Sequence, residues 1–193
     1  DGTFKPDLPG YMDWKINVEN SFVADGSYVE SGIRLAGFVP QQAINPPKVF
    51  GNYIGAPACA GAATAAAIEF GQILPSDPAD SSTHIAGVVE SNVIRMAMAG
   101  CSTPGGAGIW VVGDDQRMTA VEIIKNDISG AFFGVLVDEF VDSAHFTGNT
   151  LTGDPSDLDD IGICSGASST STKGKPNVWS GYGADQELIS DCP

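Results

Sequence analysis

Apolar and polar residues alternate along much of this chain with a period of two, the mark of strands that bury one face. In "DWKINVENSFV" (13–23), Trp14, Ile16 and Val18 interleave with Lys15, Asn17 and Glu19. "ADGS" (24–27) reads as a turn, and "YVESGIRLAGFV" (28–39) as a second strand forming a hairpin with the first. Three prolines in "VPQQAINPPK" (39–48) remove ladder donors and predict a loop. A short strand is expected at "VFGNYIG" (49–55).

The middle of the chain supports two readings. Alanines in "APACAGAATAAAIEFGQIL" (56–74) favour helix, whereas Gly61 and Gly71 and the run "AAAIEFGQIL" suit a strand. "IAGVVESNVIRMAMAG" (85–100) fits a helix, or two strands meeting at Glu90-Ser91-Asn92. From residue 104 the strand signal returns as "IWVV" and "MTAVEII", read as a hairpin with Asp114-Asp115 at its tip. "KNDISG" (125–130) reads as a turn before "AFFGVLV". "SGASSTSTKGKPN" (165–177) is an exposed low-complexity loop, and "VWSGYGADQELISDC" closes the chain with one short strand. No internal repeat is evident.

The expected fold is mainly β: a single antiparallel domain, sandwich or barrel-like, with one or two short helices and two disulfides. Residues 1–12 carry Pro6 and Pro9 and no core pattern, so they are expected to be an extended arm before a domain at 13–193. A chain of 193 residues with 42% hydrophobic content can bury a core of its own. Its first residue, Asp1 rather than Met, points to processing by a protease or to a chosen start point.

Charge narrows the partners. A net charge of −15, with 17 Asp against 7 Glu, repels phosphate backbones and anionic lipid, which argues against nucleic acid and membrane surfaces. No apolar stretch is long enough for membrane insertion. Cys59, Cys101, Cys164 and Cys192 form no CxxC and have no histidine at ligand spacing, so zinc is disfavoured. Two disulfides are expected. Of the three pairings, Cys59–Cys101 with Cys164–Cys192 closes the shortest loops, each contributing roughly 3–4 kcal/mol. Such stapling implies an extracellular location.

The chemistry-bearing residues are few. Asp154, Asp157, Asp159 and Asp160 crowd seven positions and are the calcium candidate. With Asp157 first in a helix–loop–helix calcium motif, Asp159 and Gly162 fall correctly, but Ile161 and Ser168 occupy the fifth and twelfth positions. That loop is expected to be a solvated acidic turn, with no resident cofactor. His84 and His145 lie near serines and acids in "DSSTH" and "DSAH" without a nucleophile elbow. Asp138 and Glu139 are too unspecific among 24 acids to mark a glycosidase. Trp14 and Trp110 fit a core, whereas Trp179 and Tyr182, flanked by small residues, are the candidate ligand surface.

The function expected from these features is a non-enzymatic structural or assembly protein of an extracellular surface or particle. A filament or pilus subunit, or a virion shell or tail component, fits, with copies of itself or other particle proteins as partners. The alternative is a secreted carbohydrate- or calcium-binding module, and behind it a secreted hydrolase.

Overall fold

A computed structural model describes residues 17–23, 31–39, 48–55, 65–75, 85–96, 106–112, 120–137, 141, 143–153, 161–165, 169–172 and 177–181. These form strands β1 (Asn17–Glu19), β2 (Phe22–Val23), β3 (Ser31–Val39), β4 (Lys48–Phe50), β5 (Tyr53–Ile54) and β6 (Ala65–Pro75). There follow β7 (Ile85–Glu90), β8 (Val93–Arg95), β9 (Gly106–Val112), β10 (Ala120–Ile124), β11 (Asp127–Ser129) and β12 (Phe133–Val137). The last are β13 (Ser143–Thr147), β14 (Thr150–Thr152), β15 (Ile161–Ser165), β16 (Ser169–Thr172) and β17 (Val178–Ser180).

Consecutive strands never pair. Every third strand joins the same sheet: β1-β4-β7-β10-β13-β16 in the first, β17-β14-β11-β8-β5-β2 in the second and β15-β12-β9-β6-β3 in the third. All the pairings are parallel. The chain therefore winds as a parallel β-solenoid, each coil contributing one strand to each of three sheets. Among the described residues, five coils carry all three strands and a sixth carries β16 and β17. This overturns the expected antiparallel sandwich or barrel, and the described residues contain no helix. The two hairpins foreseen at 13–39 and 104–124 are absent, because their strands lie in different sheets. Residues 65–75 are strand, 85–95 are two strands meeting at Ser91-Asn92, and Asp127–Ser129 is a strand flanked by corners rather than a turn.

The inside is filled by three apolar stacks running from coil to coil. Val49, Val89, Ile123 and Phe146 are register partners in the first sheet. Ile54, Ile94, Ile128, Leu151 and Trp179 follow in the second. Ile33, Ile68, Ile109, Val135 and Ile163 complete the third. All belong to one core, and most are fully buried. Each such side chain contributes roughly 1.5–3 kcal/mol of burial.

The third sheet breaks strict alternation in the same way in successive coils. Ala67 and Ile68 both point into the main core, whereas Ala66 belongs to a second cluster outside it. Two adjacent inward residues fit only if one is very small. At Gly108, the equivalent of Ala67, an added Cβ would meet Ile128 Cγ2 at 2.4 Å and the Gly134 carbonyl oxygen at 2.7 Å. The resulting motif is legible as "SGIRL", "AAIEF", "AGIWV", "FGVLV" and "IGICS". The internal repeat not found in the sequence is thus present, but at uneven spacing.

The expected arm at 1–12 and Cys59, Cys101 and Cys192 lie outside the described residues. Cys164 is fully buried in the cluster outside the third sheet and is not a free thiol. Cys164 is disulfide-bonded; with the other three cysteines outside the described residues, neither expected pairing is tested.

Candidate functional site

Among the described residues, the corner between the first and second sheets carries a repeated buried polar side chain. Each of coils two to six places an asparagine there: Asn52, Asn92, Asn126, Asn149 and Asn177, all buried. In the first five coils the residue before this corner position has positive φ: Asn20 (50°), Gly51 (66°), Ser91 (57°), Lys125 (52°) and Gly148 (64°). That left-handed residue turns the chain sharply enough for the next side chain to lie inside, parallel to the solenoid axis.

The asparagines form a continuous ladder. The backbone N–H and Nδ2 of Asn52 both donate to Asn92 Oδ1, at 3.0 and 2.9 Å. Asn92 donates likewise to Asn126 (3.0 and 2.9 Å), Asn126 to Asn149 (2.9 and 3.0 Å) and Asn149 to Asn177 (3.0 and 2.8 Å). The second Nδ2 proton goes back one coil, to the carbonyls of Val18, Val49, Val89 and Ile123 at 2.8–3.0 Å. An unpartnered buried amide is costly, so only a side chain with both donors and an acceptor suits each rung. Ser21 holds the corresponding position in the first coil and donates its backbone N–H to Asn52 Oδ1 at 2.9 Å. At the other end Asn177 Nδ2 is buried and has no partner.

Sequence reading missed these residues. The signal was a recurring "N-x-aliphatic" unit: "GNYIG", "SNVIRM", "KNDISG", "GNTLTG" and, with Trp in the third place, "PNVWSG". The intervals between rungs are 31, 40, 34, 23 and 28 residues, which hides the period.

Outside the core, the three sheets present different faces. The second sheet aligns Tyr53, Val93, Asp127, Thr150 and Val178 in one outward row, and Arg95, Ser129, Thr152 and Ser180 in the next. Tyr53 and Val178 are the exposed large hydrophobic residues among those described, 40% and 61% accessible. Arg95 pairs with Asp127 through Nη2 and caps the Ile94 and Asp127 carbonyls through Nη1, both at 3.0 Å. The hydrogen bond that Arg95 donates to Asp127 holds its guanidinium above the ordinary pKa, against the opposing effect of burial. The first sheet aligns Lys48, Val88, Glu122, His145 and Ser171, and Lys125 reaches Glu90 at 3.5 Å. On the third sheet, Trp110 and Leu136 pack with Phe132 and Phe133 around Ala66, Ala107 and Cys164. Trp110, expected in the core, therefore lies on the outside of the coil.

Asp154, Asp157, Asp159, Asp160, Tyr182, His84, Trp14, Asp138 and Glu139 lie outside the described residues. Trp179 is half-buried and packs on the main core at the sixth coil. His145 and Glu122 are neighbours on the first sheet. Among the described residues, no three His, Cys, Asp or Glu side chains converge as a metal site. Comparison with protein-family models, with curated proteins and with solved structures returns no match.

Proposed function

We propose that the chain is a non-enzymatic structural or assembly protein of an extracellular surface or particle, acting as a filament or pilus subunit or a virion shell or tail component. The observation that carries this reading is the asparagine ladder, which runs through coils two to six and ends on an unsatisfied donor. A solenoid is a repeating scaffold whose terminal strands present unpaired backbone groups, and a closed coil-to-coil network makes it stiff. The test is the native mass of the protein by sedimentation velocity across a wide concentration range. Assembly predicts species much heavier than one 19.9 kDa chain. A monomer at every concentration overturns it.

The second reading, a carbohydrate-binding module, draws on the exposed Tyr53 beside the Arg95–Asp127 pair on the second sheet. An aromatic face next to a charged hydrogen-bonding pair is the chemistry that sugar recognition uses. Binding to immobilised polysaccharides that is lost in Tyr53→Ala would favour it.

A further inference from the structure

We propose that Cys164 is bonded to Cys192, a covalent rung that ties the sixth coil to the fifth whether or not chains assemble. Cys164 carries a disulfide, and Cys59, Cys101 and Cys192 are its candidate partners. It stands on β15, with its register partner Leu136 on the fourth-coil side and no strand on the other side among the described residues. Its side chain is nonetheless fully buried, in the cluster outside the third sheet.

The register of the last two coils points to Cys192. Asn149 and Asn177 are 28 residues apart, and the same offset holds at Thr150–Val178, Leu151–Trp179 and Thr152–Ser180. It persists one residue further, where Gly181 lies against Gly153: a Cβ on Gly181 would stand 2.7 Å from the Gly153 carbonyl oxygen. Beyond that point the sequence carries the offset on without a gap. "TGDPSDLDDIGICS" (152–165) and "SGYGADQELISDCP" (180–193) match at Gly153 and Gly181, Asp157 and Asp185, Ile161 and Ile189, and Cys164 and Cys192. An acid also recurs, as Asp159 and Glu187. An unbroken register brings Cys192 beside Cys164. Neighbouring parallel strands lie about 4.7–4.9 Å apart, within the roughly 4.4–6.8 Å between α-carbons that a disulfide spans.

The other two cysteines belong to earlier coils. Cys59 precedes β6 and Cys101 precedes β9, strands three and two coils before β15. At one strand spacing per coil, those strands stand roughly 14 and 10 Å from β15 along the axis. They are each other's neighbours, with Ala65 paired to Gly106, and the two cysteines precede that pair by six and five residues. Cys59 and Cys101 are therefore matched to one another, which leaves Cys192 for Cys164. The sixth coil is also where a covalent tie adds most. Asn177 accepts from Asn149, but its Nδ2 is unpartnered, so the last rung is held by fewer hydrogen bonds than an inner one. Reduction of the bond makes the sixth coil the redox-sensitive part of the solenoid.

Trypsin separates all four cysteines: cleavage after lysine and arginine leaves Cys59 in 49–95, Cys101 in 96–117, Cys164 in 126–173 and Cys192 in 174–193. The full, unreduced chain is digested with free thiols blocked, and linked peptides are identified by mass spectrometry. The expected product joins 126–173 to 174–193 and is lost on treatment with dithiothreitol. Linkage of 126–173 to 49–95 or 96–117, or a mixture in which 174–193 is the minor partner, overturns the pairing. The Cys192→Ala variant gives a second readout. Its unpaired thiol should be Cys164, alkylated only in denaturant because it is buried; a free thiol at Cys59 or Cys101 overturns the pairing. In the same variant the Val178 N–H, bonded to the Asn149 carbonyl, should exchange with solvent at least about tenfold faster, while the Asp127 N–H, bonded to Asn92, should not change. An unchanged rate at Val178 overturns the tie between the coils.

Discussion

Replacing Asn126 by aspartate changes no volume and tests what the ladder contributes. The Asn126 side chain accepts from the N–H and Nδ2 of Asn92, and aspartate retains that role. It also donates to the Val89 carbonyl at 2.9 Å and to Asn149 Oδ1 at 3.0 Å, and aspartate cannot. An oxygen then faces two oxygens in a fully buried site, and the Val89 carbonyl loses a donor. Each buried group left unsatisfied costs about 1–3 kcal/mol, more when charge is involved. The expected loss is therefore about 3–5 kcal/mol, a large share of a typical folding free energy of roughly 5–15 kcal/mol. Asn177→Asp is the internal control. It keeps its bonds from Asn149 and gives up none, because its Nδ2 has no partner. It should cost less than Asn126→Asp, the loss being the desolvation of a carboxylate at a buried position. Urea unfolding followed by circular dichroism gives both values from the shift in midpoint at constant slope. Equal losses at the two positions would refute the reasoning, since the donors would then carry none of the difference.

Three further substitutions probe the corners and the packing. Gly130→Ala forces an alanine to φ 70° with its Cβ 2.0 Å from the Met96 carbonyl oxygen, so it should cost more than about 2 kcal/mol in the same urea assay. Lys125→Gly relieves a left-handed residue at φ 52° and gives up only an exposed ion pair with Glu90, so the thermal midpoint should rise, by about 0.5–1 kcal/mol in stability terms. Gly87→Ala would place a Cβ 1.8 Å from the buried Phe70 ring, and should lower the thermal midpoint by several degrees or yield insoluble protein.

Strand content was legible in the sequence, and strand direction was not. Alternation at "VEIIKN" and "AHFTGN" reports one buried face and says nothing of whether the neighbour runs parallel. Short turns such as "KNDISG" ordinarily imply hairpins, because parallel strands need a crossover of a dozen residues or more. Here the crossover between two strands of one sheet is supplied by strands of the other two, so β10 reaches β13 through β11 and β12. The repeat was hidden for a related reason. The corner unit and the "small-aliphatic-x" unit recur faithfully, but the segments between them vary in length, so rung intervals run from 23 to 40 residues. The asparagines themselves looked like turn residues, which they are; their burial and mutual bonding follow only from stacking one coil on another. The acidic cluster and three of the four cysteines, which dominated the sequence reading, lie outside the described residues.

The central claim is that successive coils lie directly on one another, held by an asparagine ladder that runs from Asn52 to Asn177 among the described residues. Side-chain amide signals in the nitrogen-resolved NMR spectrum test it most directly. The account predicts contacts linking Asn52 to Asn92, Asn92 to Asn126, Asn126 to Asn149 and Asn149 to Asn177, across 23 to 40 residues of sequence. The first four amides should exchange slowly with solvent, and Asn177 should exchange fastest in dilute protein. Absence of the Asn–Asn contacts, or close α-proton pairs of the kind antiparallel strands give, would contradict it.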